Sequence, residues 1–547
     1  MAPSGPTAPA VASLTTPDGG SPSPPRLMRS AGIVGTATLA SRLLGLVRDQ
    51  VLAYLFGASN AMDAFNVAFR IPNLMRDLFA EGAMSAAFVP TFTKRLTLQG
   101  KAAAWKVGNQ LVNALLIITG SFVLLGIVFA EPLVRLLAGS YADVPGKLEL
   151  TVFLTRILLP FLTLVAVAAA VMGMLNSLHR FFMPALSPIM VNVGIIGSVV
   201  LLVPLLPRFG LHPITAVAIG AIVGGIGQLA LQLPSLYREG YRYRPGVNPA
   251  DPGLHEILGL IGFGTIAGAA VQINLLVNMV LATGEGAGAV SWLSYAFRVM
   301  YLPIGIFGVS IATATLPAVA RHAAQNSTEG IRSTISGSLR MMLVLNVPAL
   351  VGLIVLAEPI VALIFERGSF LPSDTASTTA ALVFYAPGLV GYSAVRIAVP
   401  CFYAMRNSLT PTLVSVGAVV LNIVLNLVLV RVMGFRGLAL GTSIVALGNA
   451  LVLLVLLHRR LGGLDVRSIL ETGAKIILAS TLMGGAVLTS HAWIIDVLPG
   501  ADLVHRLVQV FGSIAVGLVV LAVGAKILRI AEWNDVWQTL SRRTKAP

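Results

Sequence analysis

Seven charged side chains lie in or beside the first two apolar segments of the chain, and their types and spacing are its strongest chemical signal. They are Arg42, Arg48, Asp49, Arg70, Arg76, Asp77 and Glu81. A charge at membrane depth costs about 3 kcal/mol or more, so such residues are usually retained for a function. Arginine keeps its charge when buried and binds phosphate through two parallel hydrogen bonds. The cluster therefore predicts a polar cavity within the membrane that accepts an anionic cargo.

The composition is that of a polytopic membrane protein. Hydrophobic residues make up 56% of the 547 residues and charged residues 11%, against about 25% charged in soluble domains. About fourteen apolar segments approach the roughly 20 residues that a spanning helix needs. Strand-type alternation is absent. The predicted fold class is therefore all-α, with about 14 transmembrane helices.

Several function classes are disfavoured, and we predict a transporter rather than an enzyme. The single Cys401 argues against a disulfide framework or a multi-cysteine metal site. The chain has no Walker motif, so ATP is not the direct energy source. The net charge of +15 does not indicate nucleic acid binding, because the basic residues lie mostly in alternate loops.

The distribution of basic residues predicts the orientation. Loops on one side of the predicted membrane are rich in Lys and Arg, for example Lys101 and Arg459, whereas the opposite loops carry few, such as Arg135 and Lys147. This bias predicts that both termini are cytoplasmic. Residues 1–28, rich in Pro, Ser, Ala and Gly, are predicted to be a disordered tail. Residues 531–547 are predicted to form a cytoplasmic C-terminal tail.

Three short motifs recur in the same order, at nearly constant spacing, in the two halves of the chain. They are EPLV at 131–134 and EPIV at 358–361, AFR at 68–70 and 296–298, and NSL at 176–178 and 407–409. The repeat predicts two six-helix lobes in the same orientation, an N-lobe over 29–245 and a C-lobe over 246–462, with helices 13 and 14 over 463–530 outside it. Parallel repeats are typical of transporters that bind substrate between the halves and work by alternating access.

The repeat also predicts which arginines face the cavity. Arg298 stands in the C-lobe where Arg70 stands in the N-lobe, so it should face the space between the lobes. Arg42 and Arg48 are predicted to line the same cavity and hold phosphate. Snorkelling to the membrane interface, or pairing with Asp49, would also explain these two arginines.

Other polar residues in apolar segments allow two interpretations. Glu81 either couples transport to a proton or ion, or neutralises a neighbouring arginine. Asn422 and Asn426 lie one turn apart on helix 11, with Thr442 on helix 12 and Asn278 on helix 7. These four residues form either interhelical hydrogen bonds, which are common in membranes, or a cation site of amide and hydroxyl oxygens.

Two long motifs carry a strong resemblance to a known family. SRLLGLVRDQVLAYLFG at 41–57 and DAFNVAFRIPNLMRDLFAEGAMSAAFVP at 63–90 resemble the MurJ (MviN) family of bacterial lipid II flippases, in the MOP superfamily of exporters. The resemblance continues through FYAMRNSLTP and covers residues 30–460. It implies a location in the bacterial cytoplasmic membrane and a cargo, lipid II, which is an undecaprenyl diphosphate carrying a disaccharide-pentapeptide for peptidoglycan synthesis. It also implies that helices 13 and 14 form a groove for the lipid tail.

The resemblance carries residue roles onto matching positions. The residues that it implies bind the substrate are Ser41, Arg42, Arg48, Arg76 and Arg298. The residues that it implies gate the cavity or tune its charge are Asp49, Asp63 and Glu81. Asp77 and Phe297 differ from the arginine and aspartate that some members have there, so those two roles are not carried over.

A sodium site described in the family is altered in this chain. Asn278 and Asn426 align with its aspartates, whereas Asn422 and Thr442 are retained. Because the two carboxylates are absent, a coupling cation (Na⁺ or H⁺) and the membrane potential are both candidate energy sources, and no other cofactor is predicted.

The sequence as a whole predicts a flippase that moves lipid II from the cytoplasmic to the outer leaflet by alternating access, with an arginine-lined cavity for the diphosphate. The alternatives are another MOP-type exporter, of a lipid-linked oligosaccharide or a drug, and a membrane-embedded glycosyltransferase. The last would need catalytic carboxylates in a large extracytoplasmic loop. The predicted partners are the lipid-linked precursor, membrane lipids and the cell-wall synthesis machinery.

Overall fold

A computed structural model describes residues 24–77, 83–248 and 251–533 of the protein. These residues are almost entirely helical, and no strand occurs among them. A helix satisfies its backbone hydrogen bonds within its own segment, which a chain in lipid requires. The predicted all-α fold class is confirmed.

The first helix of the N-lobe starts at Pro24, and residues 1–23 of the predicted tail lie outside the described residues. The N-lobe helices are α1 (Pro24–Phe56), α2 (Asn60–Arg76), α3 (Ala83–Val128), α4 (Ala130–Ala138), α5 (Lys147–Leu158), α6 (Phe161–Ser177), α7 (Phe182–Leu186), α8 (Ile189–Leu202) and α9 (Thr215–Arg238).

The C-lobe and the two additional helices follow. The C-lobe helices are α10 (Pro252–Thr283), α11 (Ala289–Pro303), α12 (Val309–Ala324), α13 (Thr328–Val355), α14 (Ala357–Phe365), α15 (Pro372–Tyr385), α16 (Gly388–Ala404), α17 (Leu409–Met433) and α18 (Phe435–Arg460). A π-helical turn, Ile304–Gly308, joins α11 to α12. The additional helices are α19 (Val466–Val497) and α20 (Leu503–Ile527).

The lengths and hydropathies of the helices confirm a multi-pass membrane protein. Among the described residues, nine helical stretches are long and apolar enough to cross a membrane, or ten if α15 and α16, which meet at 44°, count as one span. Helix α8 and the end of α10, Gln272–Thr283, are shorter apolar helices. The count of fourteen spans remains a prediction.

The two lobes repeat the same unusual sequence of elements. In each, a short helix begins at the Glu-Pro motif, α4 in the N-lobe and α14 in the C-lobe. In each, the following span is broken in the middle, between α5 and α6 at Pro160 and between α15 and α16 at Pro387. Proline has no backbone N–H and interrupts a helix. The recurrence supports the internal repeat.

Helices α19 and α20 lie outside the repeat and attach to the C-lobe. They pack against each other, and α19 packs on α13 while α20 packs on α14. Arg506 of α20 donates to the carbonyl of Ala362 at 2.9 Å and to Oε1 of Glu366 at 2.7 Å. This ion pair fastens the pair of helices to the end of α14. A groove for a lipid tail at this position remains a prediction.

The linker between the lobes is fastened to α3. The Asn109 side chain donates to the carbonyl of Arg242 and accepts from the N–H of Arg244, both at 3.0 Å. Asn113, one turn later, donates to the carbonyls of Arg244 and Gly246. The linker therefore belongs to the N-lobe as far as the described residues reach.

The linker begins at a small ion-pair network outside the spans. Glu239 accepts hydrogen bonds from Lys101 Nζ at 3.0 Å and from Arg180 Nε at 2.8 Å. These two bonds hold the pKa of Glu239 below its ordinary value. The network joins α3, the turn after α6 and the end of α9.

Glycines let α8 and α9 approach closely. A Cβ added at Gly194 would lie 2.5 Å from the backbone nitrogen of Gly224, and one added at Gly224 would lie 2.5 Å from Cα of Val191. Small residues at such crossings are a common means of helix association in membranes. Gly197, one turn after Gly194, has nothing within 4 Å of its added Cβ.

Substituting Gly224→Ala should therefore lower the thermal unfolding midpoint of the purified protein. The added methyl group meets the α8 backbone at Met190 and Val191 and forces α8 and α9 apart, which typically costs about 1–3 kcal/mol. Gly197→Ala is the matched control and should leave the midpoint unchanged or slightly higher. Equal midpoints for the two variants would contradict the close crossing.

Candidate functional site

An aspartate shared by two arginines lies between the lobes. Arg48 of α1 contacts Oδ1 of Asp49 through Nε at 3.0 Å and Nη2 at 2.8 Å. Arg298 of α11, in the C-lobe, forms an ion pair with the same oxygen. Asp49 is 5% exposed, whereas the Arg298 side chain remains 39% exposed. One carboxylate therefore faces two guanidinium groups, and the site keeps a positive charge.

The Arg48 side chain is also held by α8. Nη1 of Arg48 donates to Oδ1 of Asn192 at 3.0 Å, and Nδ2 of Asn192 donates to the Ser41 carbonyl at 3.3 Å. Asn192 was not among the residues predicted for the site. The only signal for it is a polar residue in the otherwise apolar run MVNVGII. The contact shown by Ser41 is made by its backbone.

Arg42 lies on the same helix as Arg48 but makes a different contact. Its side chain is exposed, and its guanidinium lies against Gly305 in the π-helical turn of the C-lobe. A side chain at Gly305 would displace it. Two contacts across the lobes thus lie on the same stretch of α1, at Arg42 and at Asp49.

Arg76 belongs to a second charged cluster at the end of α2. It pairs with Asp77 through Nη2 at 2.8 Å. Gln272 of α10 donates to Asp77 Oδ2 at 3.4 Å and accepts from Arg70 Nη2 at 3.3 Å. The predicted role of Glu81 cannot be placed here, because that residue lies outside the described residues.

Asp63 is the most completely paired charge between the lobes, and it has no exposed surface. Its carboxylate accepts from Lys147 Nζ at 3.1 Å within the N-lobe. From the C-lobe it accepts from the N–H of Gly288 at 2.8 Å, and from the N–H and hydroxyl of Ser291 at 3.0 and 2.7 Å. Gly288 and Ser291 lie at the N-terminus of α11, where the helix dipole favours an anion.

Lys147 was predicted to lie in a loop, but it is buried in the structure. It is the first residue of α5 and only 4% exposed. Its Nζ also donates to Oδ1 of Asn60 at 2.9 Å and lies 3.9 Å from the centre of the Tyr141 ring. Sequence gives no signal for this burial, because lysine at a helix start normally reaches solvent.

Further bonds close the lobes at the end where Asp63 lies, which we call the Asp63 end. The Tyr295 hydroxyl donates to the Gly57 carbonyl at 3.3 Å, and the Ser369 N–H donates to the Tyr54 carbonyl at 2.8 Å. Each bond joins the N-lobe to the C-lobe near the junction of α1 and α2. The charged cluster at Asp49 lies beneath this closed end.

The four residues of the candidate cation site do lie together. Nδ2 of Asn426 donates to Oδ1 of Asn278 at 2.6 Å and to Oδ1 of Asn422 at 2.9 Å. Nδ2 of Asn278 lies 3.5 Å from Oγ1 of Thr442. Two carbonyl oxygens thus converge on the amide nitrogen of Asn426. This is an interhelical hydrogen-bond network, and cation coordination by it remains a prediction.

A comparison with protein families shows which family the chain belongs to. The model of the family described as "Lipid II flippase MurJ" matches residues 52–499. The chain belongs to the MurJ family. The family is named for a flippase, so the chain is a transporter rather than an enzyme.

Similar MurJ proteins cover most of the chain. A Vibrio cholerae protein named probable lipid II flippase MurJ is 34% identical over 481 residues, which are 86% of this chain and 90% of the relative. A Burkholderia cenocepacia lipid II flippase MurJ is 33% identical over 438 residues, covering 79% and 84%.

Solved structures agree with the MurJ fold. A lipid II flippase MurJ in an inward closed conformation aligns with a TM-score of 0.75 at 27% identity, covering 90% of this chain and 99% of that one. An inward-facing MATE transporter of the MOP superfamily aligns with a TM-score of 0.65 at 16% identity, covering 79% and 98%, which shows a shared fold.

Replacing Lys147 with methionine should bias the protein toward closure at the Asp63 end. When the lobes separate there, Asp63 loses its three C-lobe donors and keeps only its N-lobe partner, Lys147. Without Lys147 the carboxylate has a strong partner only in the closed state, so opening becomes at least about tenfold rarer. The measurement is the rate at which a membrane-impermeant thiol reagent labels a cysteine placed at Asn66 of α2, whose Nδ2 donates to the Ser291 hydroxyl across the lobes at 3.1 Å, with Cys401→Ser as background.

Lys101→Met is the control for that experiment, because Lys101 is an exposed ion-pair lysine away from the lobe contact. It should leave the labelling rate unchanged. Faster labelling in Lys147→Met would contradict the assignment, since it would mean that Lys147 holds the end closed.

Proposed function

We propose that this protein moves lipid II from the cytoplasmic to the outer leaflet of the bacterial cytoplasmic membrane by alternating access. The single observation that supports this most is the Asp49 carboxylate shared by Arg48 of one lobe and Arg298 of the other. The named relatives transport lipid II, whose diphosphate is the anion that such a pair of guanidinium groups suits.

The shared carboxylate suggests how cargo is bound. A phosphate oxygen entering the site can replace Asp49 as the acceptor for Arg298, whose side chain is partly exposed. Because Arg48 and Arg298 belong to different lobes, a diphosphate held by both couples binding to the relative position of the lobes. Asp49 keeps both guanidinium groups oriented when no cargo is present, and repels the anion enough to permit its release.

Arg42 extends the positive surface toward one end of α1. Six residues separate it from Arg48, about 9 Å along a helix axis. With the termini in the cytoplasm, as the distribution of basic loop residues supports, Arg42 lies on the cytoplasmic side of Arg48. The Asp63 end then faces outside. A headgroup would meet Arg42 first, then Arg48 and Arg298, with the outer end closed by Asp63.

The energy source is part of the same proposal. The cluster of Asn278, Asn422, Asn426 and Thr442 carries no carboxylate, and its amides bond to one another. We infer that the membrane potential, rather than Na⁺ at this cluster, drives the cycle. The peptidoglycan synthesis machinery would take up the product on the outer face.

Arg48→Ala and Arg298→Ala should each abolish most lipid II transport. Each removes a charged hydrogen-bond donor to the diphosphate, a loss of about ten- to a hundredfold in binding. The measurement is the access of an outside-acting probe to lipid II headgroups in cells depleted of the wild-type protein and carrying each variant. Arg135→Ala, an exposed arginine on α4, is the control and should restore access fully.

Three outcomes would overturn parts of this proposal. Full rescue by both arginine variants would remove the cargo site while leaving the flippase function. Unchanged headgroup access on depletion, in a host with no second flippase, would favour another MOP-type exporter. Polymerisation of lipid II by the purified protein would favour the glycosyltransferase alternative.

Replacing Na⁺ with choline should leave transport by the protein in lipid vesicles unchanged, because the amide cluster has no carboxylate to hold a cation. Collapsing an imposed potential with valinomycin and equal K⁺ on both sides should slow it severalfold. Loss of transport in choline alone would instead assign a sodium-binding role to the cluster.

A further inference from the structure

One face of α11 and the π-helical turn continues past the arginine site. Arg298 meets Asp49 of α1, and Gly305 lies against Arg42 of α1. Residues three and four positions apart share a helix face, so Tyr301 lies between these two contacts, on the side of α11 that faces α1. The space between the lobes is therefore bordered by Tyr301 as well as by Arg298.

An arginine without an acidic partner approaches this tyrosine. Arg396 lies at the middle of α16, is partly exposed, and donates from Nη2 to the Tyr301 hydroxyl. Its Cζ lies 5.5 Å from the centre of the Tyr301 ring. No carboxylate of a described residue pairs with it. An intramembrane charge of this kind usually faces a water-filled cavity, and its contact with Tyr301 identifies that cavity as the space between the lobes.

Aromatic rings form a surface around this pair. Phe297 stacks on Tyr301 with ring centres 5.7 Å apart and an interplanar angle of 27°. Tyr385 meets Phe297 edge-on at 5.5 Å, and Tyr392 meets it edge-on at 6.2 Å. Phe297, Tyr301 and Tyr392 are partly exposed. Mutual packing fixes the ring orientations, so they form a preorganised surface.

We propose that Phe297, Tyr301, Tyr392 and Arg396 bind a sugar ring attached to the diphosphate. The faces of aromatic rings suit the C–H face of a pyranose, and a guanidinium can donate to a hydroxyl or acetamide oxygen. We assign a sugar rather than a second phosphate to this cluster, because it offers a single arginine among neutral rings. This inference rests on the proposed function and assigns the sugar to the C-lobe, next to the arginines.

The test compares binding of three ligands to the full-length protein in lipid nanodiscs. They are undecaprenyl diphosphate, the same lipid carrying only the disaccharide, and complete lipid II. Tyr301→Ala removes a stacking ring and Arg396→Gln removes the guanidinium donor. Each should therefore weaken binding of the two sugar-bearing lipids about tenfold. Neither should change the affinity for undecaprenyl diphosphate.

Arg48→Ala separates this inference from the proposed function, because it should weaken all three ligands alike. If it weakens none, the proposed function fails, whatever the aromatic variants do. Tyr403→Ala is the matched control, an exposed tyrosine on the same helix as Arg396, and should change nothing. Tyr301→Phe keeps the ring and should retain most of the affinity, which guards against loss through misfolding.

Three results would overturn the sugar assignment. Equal weakening of all three ligands by Tyr301→Ala and Arg396→Gln would make the cluster part of the diphosphate site or of the fold. Weakening restricted to complete lipid II would assign the cluster to the peptide instead. Unchanged binding of every ligand would leave the aromatic cluster a purely structural element of the C-lobe.

Discussion

The carboxylate of Asp49 is shared by Arg48 of its own helix and by Arg298 of the opposite lobe, and the arrangement of the protein depends on that sharing. Two guanidinium groups that face each other inside a membrane repel, and an anion between them offsets that repulsion. Asp49 supplies that anion when cargo is absent. In the proposed function a diphosphate takes that place when cargo is bound, so that cargo binding and the contact between the lobes would involve the same atoms.

At the Asp63 end a buried charge is also compensated, but by partners from both lobes that leave it no exposed surface. Asp63 is balanced by Lys147 from its own lobe and by the N-terminus of α11 from the other, and it is wholly buried. Such a contact can break without leaving Asp63 unpaired, because Lys147 moves with it. Among the described residues, two charged contacts between the lobes thus differ in kind: Arg298 forms an ion pair with Asp49, whereas Asp63 accepts hydrogen bonds from Gly288 and Ser291. One is open to exchange with an anion, and the other is suited to opening and closing.

The scaffold gives these contacts their positions. The broken spans α5–α6 and α15–α16, equivalent in the two lobes, begin next to the Asp63 end and bring Lys147 and Asp374 toward α2 and α11. Nε1 of Trp292 on α11 donates to Asp374 of the C-lobe at 2.9 Å. The start of α11 is therefore bonded to Asp374 in its own lobe and to Asp63 in the N-lobe. Close packing of α8 on α9 places Asn192 where it orients Arg48.

Sequence alone predicted the helical class, the repeat, and the placing of Arg48 and Arg298 at one cavity, because charges in apolar segments and recurring motifs are properties of the chain itself. It also predicted that Asn278, Asn422, Asn426 and Thr442 form one group, from their spacing and from family resemblance. It left open whether Arg48 binds cargo or pairs with Asp49, and the structure shows that the pairing exists.

Only the tertiary structure revealed Asn192, Lys147 and the surface formed by Tyr301 and Arg396. Asn192 is a single amide and Lys147 a lysine at a helix start, and although Arg396 is a costly charge in an apolar segment, nothing local links it to Tyr301. Their roles arise from contacts between residues distant in sequence, such as Lys147 with Asp63 and Arg396 with Tyr301. Local patterns determine which segments are helices and which charges are costly. The packing of those helices decides which charge meets which partner.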